Sequence, residues 1–274
     1  MASNSALRVL LLSASLWLGI GVCASGAGIS VEGKLAEERV AARGETYRGA
    51  IAVRNTGEEP VIVKVYQTDY TFGADGSTSY GSPGGLPRSN AAWVRLAQDQ
   101  YTIPPKGVAK VGYEVKVPAD AALRGSYWSV VMVEPLSARE GGLPSTKQGE
   151  VAVGLAQVVR YAVQMVTEVG DGAARELVLD APALKRQDGR QELRIDVANR
   201  GEQLLKPALV LELTGAEGGA PRKFTTAPQR VYPGTSVRYQ VDLGTLPAGR
   251  YRALAAADAG GDDLYGGEFE VSLQ

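Results

Sequence analysis

Ile103 to Val133 reads IPPKGVAKVGYEVKVPADAALRGSYWSVVMV. After the Pro-Pro-Lys-Gly turn, Val111, Tyr113, Val115 and Val117 alternate with Lys110, Gly112, Glu114 and Lys116. That is the two-residue period of a strand with one face in a core and the other in water. A polar loop then leads through Gly125-Ser126-Tyr127 into a second apolar run, Trp128 to Val133. The same arrangement recurs near the C-terminus. Tyr232-Pro233-Gly234 precedes an alternating Val237, Tyr239, Val241 and Leu243, and Gly249-Arg250-Tyr251 follows a short loop. Two copies of one strand–corner–strand unit predict two domains of one kind.

The duplication extends upstream of the turns. Ile51 and Val53 lie on one face of a strand that ends at Asn55-Thr56-Gly57, and Pro60 opens the next, whose Val61, Val63 and Val65 share a face. Leu193, Ile195 and Val197 lead in the same way to Asn199-Arg200-Gly201, and Pro207 precedes Leu209, Leu211 and Leu213. Asn and Gly at these strand ends predict tight turns with positive φ. Tyr127 and Tyr251 stand where an immunoglobulin-type sandwich places a corner tyrosine, whose hydroxyl returns to upstream backbone. Asp75-Gly76 predicts a hairpin between Phe72 and Tyr80. With 34 glycines, 14 prolines and no long helical periodicity, the fold class is all-β: two immunoglobulin-like β-sandwich domains in tandem. The boundaries are placed at 28-169 and 173-274, joined through Gly170-Asp171-Gly172.

Residues 1-27 have the layout of a secretory signal peptide. Arg8 precedes an almost wholly apolar run, Val9 to Val22, with small residues following, so cleavage is expected after Ala24 or Ala27. A lipoprotein reading would need a small residue before Cys23, and Val22 stands there. Cys23 is the sole cysteine and there is no histidine, so Ser-His-Asp and Cys-His catalysis and the usual zinc ligand sets are excluded. The acidic residues are scattered over turns and strand edges, with no constellation fit for catalysis, and no cofactor is expected. Removing Arg8 from the 29 basic residues leaves 28 against 30 acidic ones, which gives no electrostatic case for nucleic acid or anionic lipid. Asp75-Gly76 and Asp262-Asp263 lack the ligand spacing of a calcium loop and read as turns. Tyr66, Tyr70, Phe72, Tyr80 and Trp93 are either ordinary sheet aromatics or a face on which a glycan stacks.

One feature of the first domain is not repeated in the second. A polar loop, Leu136 to Gly149, delivers Val151 to Val169, about nineteen residues of strand-like sequence against a usual five or six. Val151, Val153 and Leu155 alternate with Ala152 and Gly154. A strand so long and so weakly charged, at an edge or cleft, is equipped for β-strand addition to an extended partner.

Taken together, Ile51-x-Val53-x-Asn55-x-Gly57, Val117-Pro118-Ala119-Asp120, Tyr127-Trp128 and a long loop before Val159-Arg160-Tyr161 resemble the periplasmic pilus-assembly chaperones, the PapD-like superfamily. The likeness covers residues 29 to 168 loosely. The chain departs from the family where Ala121 to Ser126 intervenes after Asp120, where Ser129-Val130 replaces an Asn step, and in having no Thr-Arg pair near the mature N-terminus. The resemblance implies that Val151, Val153 and Leu155 are donor residues completing a subunit. It also implies that Arg160 and Lys34 are cleft cations for the subunit's C-terminal carboxylate. The expected protein is therefore a periplasmic, non-enzymatic chaperone-like binder of exported pilus or surface subunits. An envelope scaffold or adhesion module that binds glycan or a surface protein is the alternative. Neither nucleic acid nor stable membrane insertion of the mature chain is expected.

Overall fold

The computed structural model describes residues 28–136, 159–180, 182–187, 190–261 and 263–273. The first part carries strands β1 (Ile29–Glu32), β2 (Ala36–Ala41), β3 (Thr46–Asn55), β4 (Val61–Phe72), β5 (Thr78–Gly81), β6 (Val94–Leu96), β7 (Gln100–Ile103), β8 (Val108–Lys116), β9 (Gly125–Leu136) and β10 (Tyr161–Val169). One sheet runs β1-β3-β8-β6 and the other β2-β10-β9-β4-β5, with β7 also pairing β4. They close on a shared core that includes Ile51, Val53, Val63, Val65, Val111, Val115, Val131, Val133 and Val163. The alternation quoted at the outset is thus the inward face of β8: Val111 and Val115 are fully buried, Val117 just beyond the strand nearly so, and Tyr113 is buried at the same face. Tyr113 lies over the facing Gly49, where a Cβ would fall 2.2 Å from its hydroxyl oxygen. The ring fills the space that the strand glycine leaves.

The second part carries β11 (Leu177–Leu179), β12 (Ala183–Gln187), β13 (Arg190–Asn199), β14 (Ala208–Gly215), β15 (Arg222–Thr225), β16 (Ser236–Gly244), β17 (Gly249–Asp258) and β18 (Leu264–Leu273). β11 and β12 both pair β13, which pairs β16, and the facing sheet runs β15-β14-β17-β18. Leu193, Ile195, Val197, Leu209, Leu211, Leu213, Tyr239 and Val241 fill its core. The protein is all-β, two immunoglobulin-like sandwiches in tandem.

The turn chemistry differs from the sequence expectation in an instructive way. Neither Asn55 nor Asn199 has positive φ, and nor do the glycines two residues on. Each asparagine is instead fully buried as a tie between strands. Asn55 Nδ2 donates to the carbonyls of Glu59, Ile103 and Pro104 at 2.7, 3.1 and 3.2 Å, and its Oδ1 accepts from Gly57 N at 2.8 Å. Asn199 Nδ2 donates to the carbonyls of Gln203 and Val231 at 2.8 Å each, and its Oδ1 accepts from Gly201 N at 2.9 Å. The side-chain amide serves the backbone that the turn leaves unpaired. In the proline turns, Gly234 takes the left-handed position (φ 76°) in the second copy, whereas in the first it is Lys106 (φ 57°), one residue before the glycine.

The paired tyrosines also part company. Tyr251 makes the corner, its hydroxyl donating to Pro247 O at 3.0 Å. Tyr127 does not: its ring stands 4.7 Å from that of Trp93, and the Arg88 guanidinium lies over it, 5.3 Å from the centroid.

Candidate functional site

The site is assembled around β10 and the way β1 and β2 treat its edge. β1 pairs antiparallel with β3. At Gly33 (φ 91°) the chain leaves that sheet, and β2 enters the other one, parallel to β10. The parallel register runs from Gln164 opposite Ala36 to Val169 opposite Ala41. On its other side β10 pairs with β9 along its whole length, from Tyr161 opposite Val133 to Val169 opposite Gly125. The strand is therefore closed on both sides from Gln164 onward. Upstream of Gln164 its β2-side edge has no ladder partner among the described residues.

The polarity of that edge follows from one bond. Gln164 N donates to Leu35 O at 2.9 Å, so the Gln164 amide points toward β2. Amides two residues apart point the same way along a strand, so that of Ala162 points to the same open side, and Arg160 stands immediately before the strand. Val159 is 47% exposed beside them.

Arg160 and Lys34 both lie at this end of the sheet. The Arg160 guanidinium is 3.5 Å from a Glu134 carboxylate oxygen, which leaves its side chain 58% exposed. Glu134 also accepts from the Tyr66 hydroxyl at 3.0 Å. Burial, and then the neighbouring Glu134, push the Tyr66 hydroxyl above its ordinary pKa. Lys34 is exposed in the bend between β1 and β2. Among the described residues, no hydrogen bond or ion pair joins Lys34 to Arg160, or either of them to the second sandwich. Val151, Val153 and Leu155 lie outside the described residues.

The junction between the sandwiches is built from residues that sequence reasoning did not single out for it. Tyr232, fully buried, stacks on Trp128 with centroids 4.7 Å apart, and Phe72 meets its edge at 6.0 Å. Its hydroxyl donates to Gln164 Oε1 at 2.5 Å, and Trp128 Nε1 donates to Tyr70 O at 2.7 Å. Val166 and Leu204 complete this apolar cluster. Burial raises the Tyr232 hydroxyl pKa well above its ordinary value, so it stays a neutral donor.

Two carboxylates flank the stack. Glu38 on β2 receives Lys206 at 2.5 Å and Arg230 at 2.8 Å, both from the second sandwich. Burial alone would raise its pKa, but the bonds and charges of Lys206 and Arg230 outweigh this and hold it below the ordinary value. Glu202 takes Arg124 at 2.7 Å and Arg88 at 3.1 Å. Its backbone carbonyl accepts from Ser126 N at 2.8 Å, and Leu204 N donates to Ser126 Oγ at 2.7 Å. The contact is so close at Gly125 (φ 79°) that a Cβ there would fall 2.1 Å from Glu202 O. Gly125 is thus a place where the backbone of the second sandwich comes too close for any side chain, which is why a glycine opens β9. The signal legible beforehand was only its position ahead of Tyr127.

The aromatic residues divide between three places. Tyr70 stacks with Tyr80 at 5.3 Å and adjoins Phe72 at 5.4 Å, beside an open groove of ≈ 640 Å³ between the β4–β5 hairpin and the second sandwich. Tyr66 belongs to the Glu134 cluster and Trp93 packs on Tyr127. They form no single face. Among the described residues there is no group of three or more side chains placed to hold a metal ion. No described helix is long and apolar enough to cross a membrane.

No family model matches the sequence, and no curated protein matches it. Solved structures do match in overall shape, and many of them are fimbrial chaperones. A chaperone–tip adhesin complex of CFA/I fimbriae matches with TM-score 0.46 and 9% identity over 88% of this chain and 98% of that one. The class 5 fimbriae chaperone CfaA matches with TM-score 0.43 and 10% identity over the same shares. The CsuC–CsuE chaperone–tip subunit complex of the archaic chaperone-usher Csu pili of Acinetobacter baumannii matches with TM-score 0.40 and 11% identity, covering 78% of this chain and 90% of that one. These are proteins of the kind the sequence resembles. At such identities and TM-scores nothing about partner or activity passes from them to this chain.

Proposed function

We propose that this chain is a periplasmic, non-enzymatic, chaperone-like protein that binds exported pilus or surface subunits by β-strand addition. The observation that carries the reading is the β10 edge, covered by β2 from Gln164 onward and uncovered upstream of it among the described residues. An extended segment of a partner can continue the ladder there through the outward amide of Ala162 and, as the ladder extends upstream, that of Arg160, with main-chain bonds giving affinity and alternate side chains giving selectivity. The apolar side chains for the partner are assigned to Val151, Val153 and Leu155, which precede β10 in the sequence, as the resemblance implies. Arg160 and Lys34 put positive charge at this end of the sheet, suited to a carboxylate of the partner.

The test is co-purification from periplasm with an exported subunit, using Ala162→Pro and the pair Val153→Asp, Leu155→Asp. Proline at Ala162 removes an outward donor while leaving the pairing with β9, whose ladder bonds fall on the alternate residues. Each variant is expected to lose the subunit while keeping the thermal transition of the parent. Capture undiminished in both would exclude strand addition at this edge.

A second reading has one observation of its own. Tyr80 is 49% exposed and stacks on Tyr70 beside the inter-sandwich groove, an arrangement on which a sugar ring can lie. An envelope scaffold or adhesion module would use it to bind glycan. That reading predicts binding to purified cell-wall glycan that Tyr80→Ala abolishes and Ala162→Pro does not.

A further inference from the structure

The two sandwiches share a plan but finish differently. In the first, the leading strand crosses at Gly33 to the other sheet, and β2 covers the outer edge of the final strand β10 from Gln164 to Val169. In the second, the leading strand never crosses. Both its parts stay on β13, β11 ending at Leu179 and β12 beginning at Ala183. The final strand β18 is therefore the last of its sheet, ten residues long, and its outer edge has no ladder partner among the described residues. Natural sheets seldom leave so long an edge uncovered.

Beside β18 there is also an opening between the two sheets. It is a cavity of ≈ 260 Å³ lined by Leu179, Pro182, Ile195, Ala255 and Phe269, so it reaches the core of the sandwich. Gly267 also lines it, and a Cβ at that position would meet nothing within 4 Å. Gly267 shares the strand face of Tyr265 and Phe269, both of which pack on the core. Asp180 and Glu268 line the cavity too, and the exposed Glu270 follows on the same strand face as Glu268.

We propose that β18 and this notch receive an extended segment of another protein. It carries an apolar side chain for the notch and basic side chains for Asp180, Glu268 and Glu270. The unpaired strand edge demands an extended backbone, the notch demands the apolar group, and the three acids demand the positive charge. A second copy of this chain is the poorer occupant, because antiparallel pairing of β18 with itself around this stretch sets Glu268 and Glu270 against the same residues. The site lies in the second sandwich, so it stands or falls independently of strand addition at β10.

The experiment titrates the full mature chain into a fluorescein-labelled heptapeptide of alternating Lys and Val, read by anisotropy. Peptides with Thr or Pro in place of Val, or Glu in place of Lys, are the comparison. The Lys–Val peptide is expected to bind about tenfold more tightly than any of the others, the scale set by burying one apolar side chain. Gly267→Leu, which fills the notch from within, is expected to weaken binding about tenfold, and Glu268→Lys with Glu270→Lys to a similar degree. Circular dichroism melts read in parallel show whether each variant is folded. Equal binding of all the peptides, or binding of the Lys–Val peptide that survives both sets of substitutions, would overturn the proposal. So would a concentration-dependent dimer in sedimentation that Gly267→Leu abolishes, since it would assign the edge to a second copy.

Discussion

At the scale of single residues, the two buried asparagines carry more of the fold than their place in a turn suggests. Asn55 and Asn199 each bond carbonyls of a distant segment, Ile103 and Val231 respectively, and so fasten the end of one strand to the turn that precedes another. Replacing Asn199 by Ala leaves two carbonyls and one amide without their bonds, those of Val231 and Gly201 buried, at about 1–3 kcal/mol for a buried group left unpaired. Asn199→Ala is therefore expected to lower the urea midpoint of unfolding by about 2–3 kcal/mol in free energy, with Asn55→Ala costing at least as much. Asp substitutions, which keep the acceptor but lose both donors, should not rescue either site. From sequence, Asn-x-Gly at a strand end is turn chemistry. That the amide reaches across to another strand depends on sequence-distant pairing, which no local pattern carries. Lys106 shows the same limit, since a lysine at positive φ has no local signature when a glycine stands beside it.

At the scale of elements, what was legible was whatever has a period. The alternating runs over Val61 to Val65, Val111 to Val117, Leu193 to Val197 and Val237 to Leu243 all face a core, and the hairpin at Asp75-Gly76 forms as its turn residues require. The charged run Glu37 to Gly44 reads as a loop or a sheet edge, because a run of charge cannot be buried, and as far as Ala41 it belongs to the edge strand β2. Its parallel pairing with β10 was not legible, for a strand's partner is set by topology and leaves no trace in its own sequence. That pairing gives β10 two unlike halves. From Gln164 onward it is an interior strand, and upstream it is an edge. A proline at Val166 removes a bond that β2 or β9 needs and strains a strand buried among Trp128 and Tyr232, whereas Ala162→Pro falls where only the outer donor is lost. Val166→Pro is expected to destabilise the first sandwich by about 3 kcal/mol or more, and Ala162→Pro by less than about 1 kcal/mol, measured by chemical denaturation.

At the scale of the whole molecule, the two sandwiches meet through a packed aromatic stack with an ion cluster on each side. Truncating Trp128 to Ala removes the ring from against Tyr232 and Val166 at a cost of about 3–5 kcal/mol. The variant is expected to unfold in two resolved calorimetric steps, with a larger radius of gyration in solution scattering. Acid should loosen the same junction. Glu38 and Glu202 are held below the ordinary value of 4.5, so their contribution is complete above that value and is lost as the pH falls through their lower folded values. Glu38→Gln with Glu202→Gln should weaken the junction at neutral pH and flatten its response to acid, as followed by scattering from pH 7 to 3. A fixed junction matters to the proposed function, because it holds the second sandwich against the covered half of β10 and leaves the uncovered half facing outward. The most direct measurement is hydrogen exchange at single amides of β10, with and without a subunit captured from periplasm. Strand addition predicts that the Arg160 and Ala162 amides slow by about tenfold or more in the complex, while those of Gln164 and Val166, already covered by β2, hardly change. A complex that forms with Arg160 and Ala162 exchanging as fast as in the free protein would contradict the account.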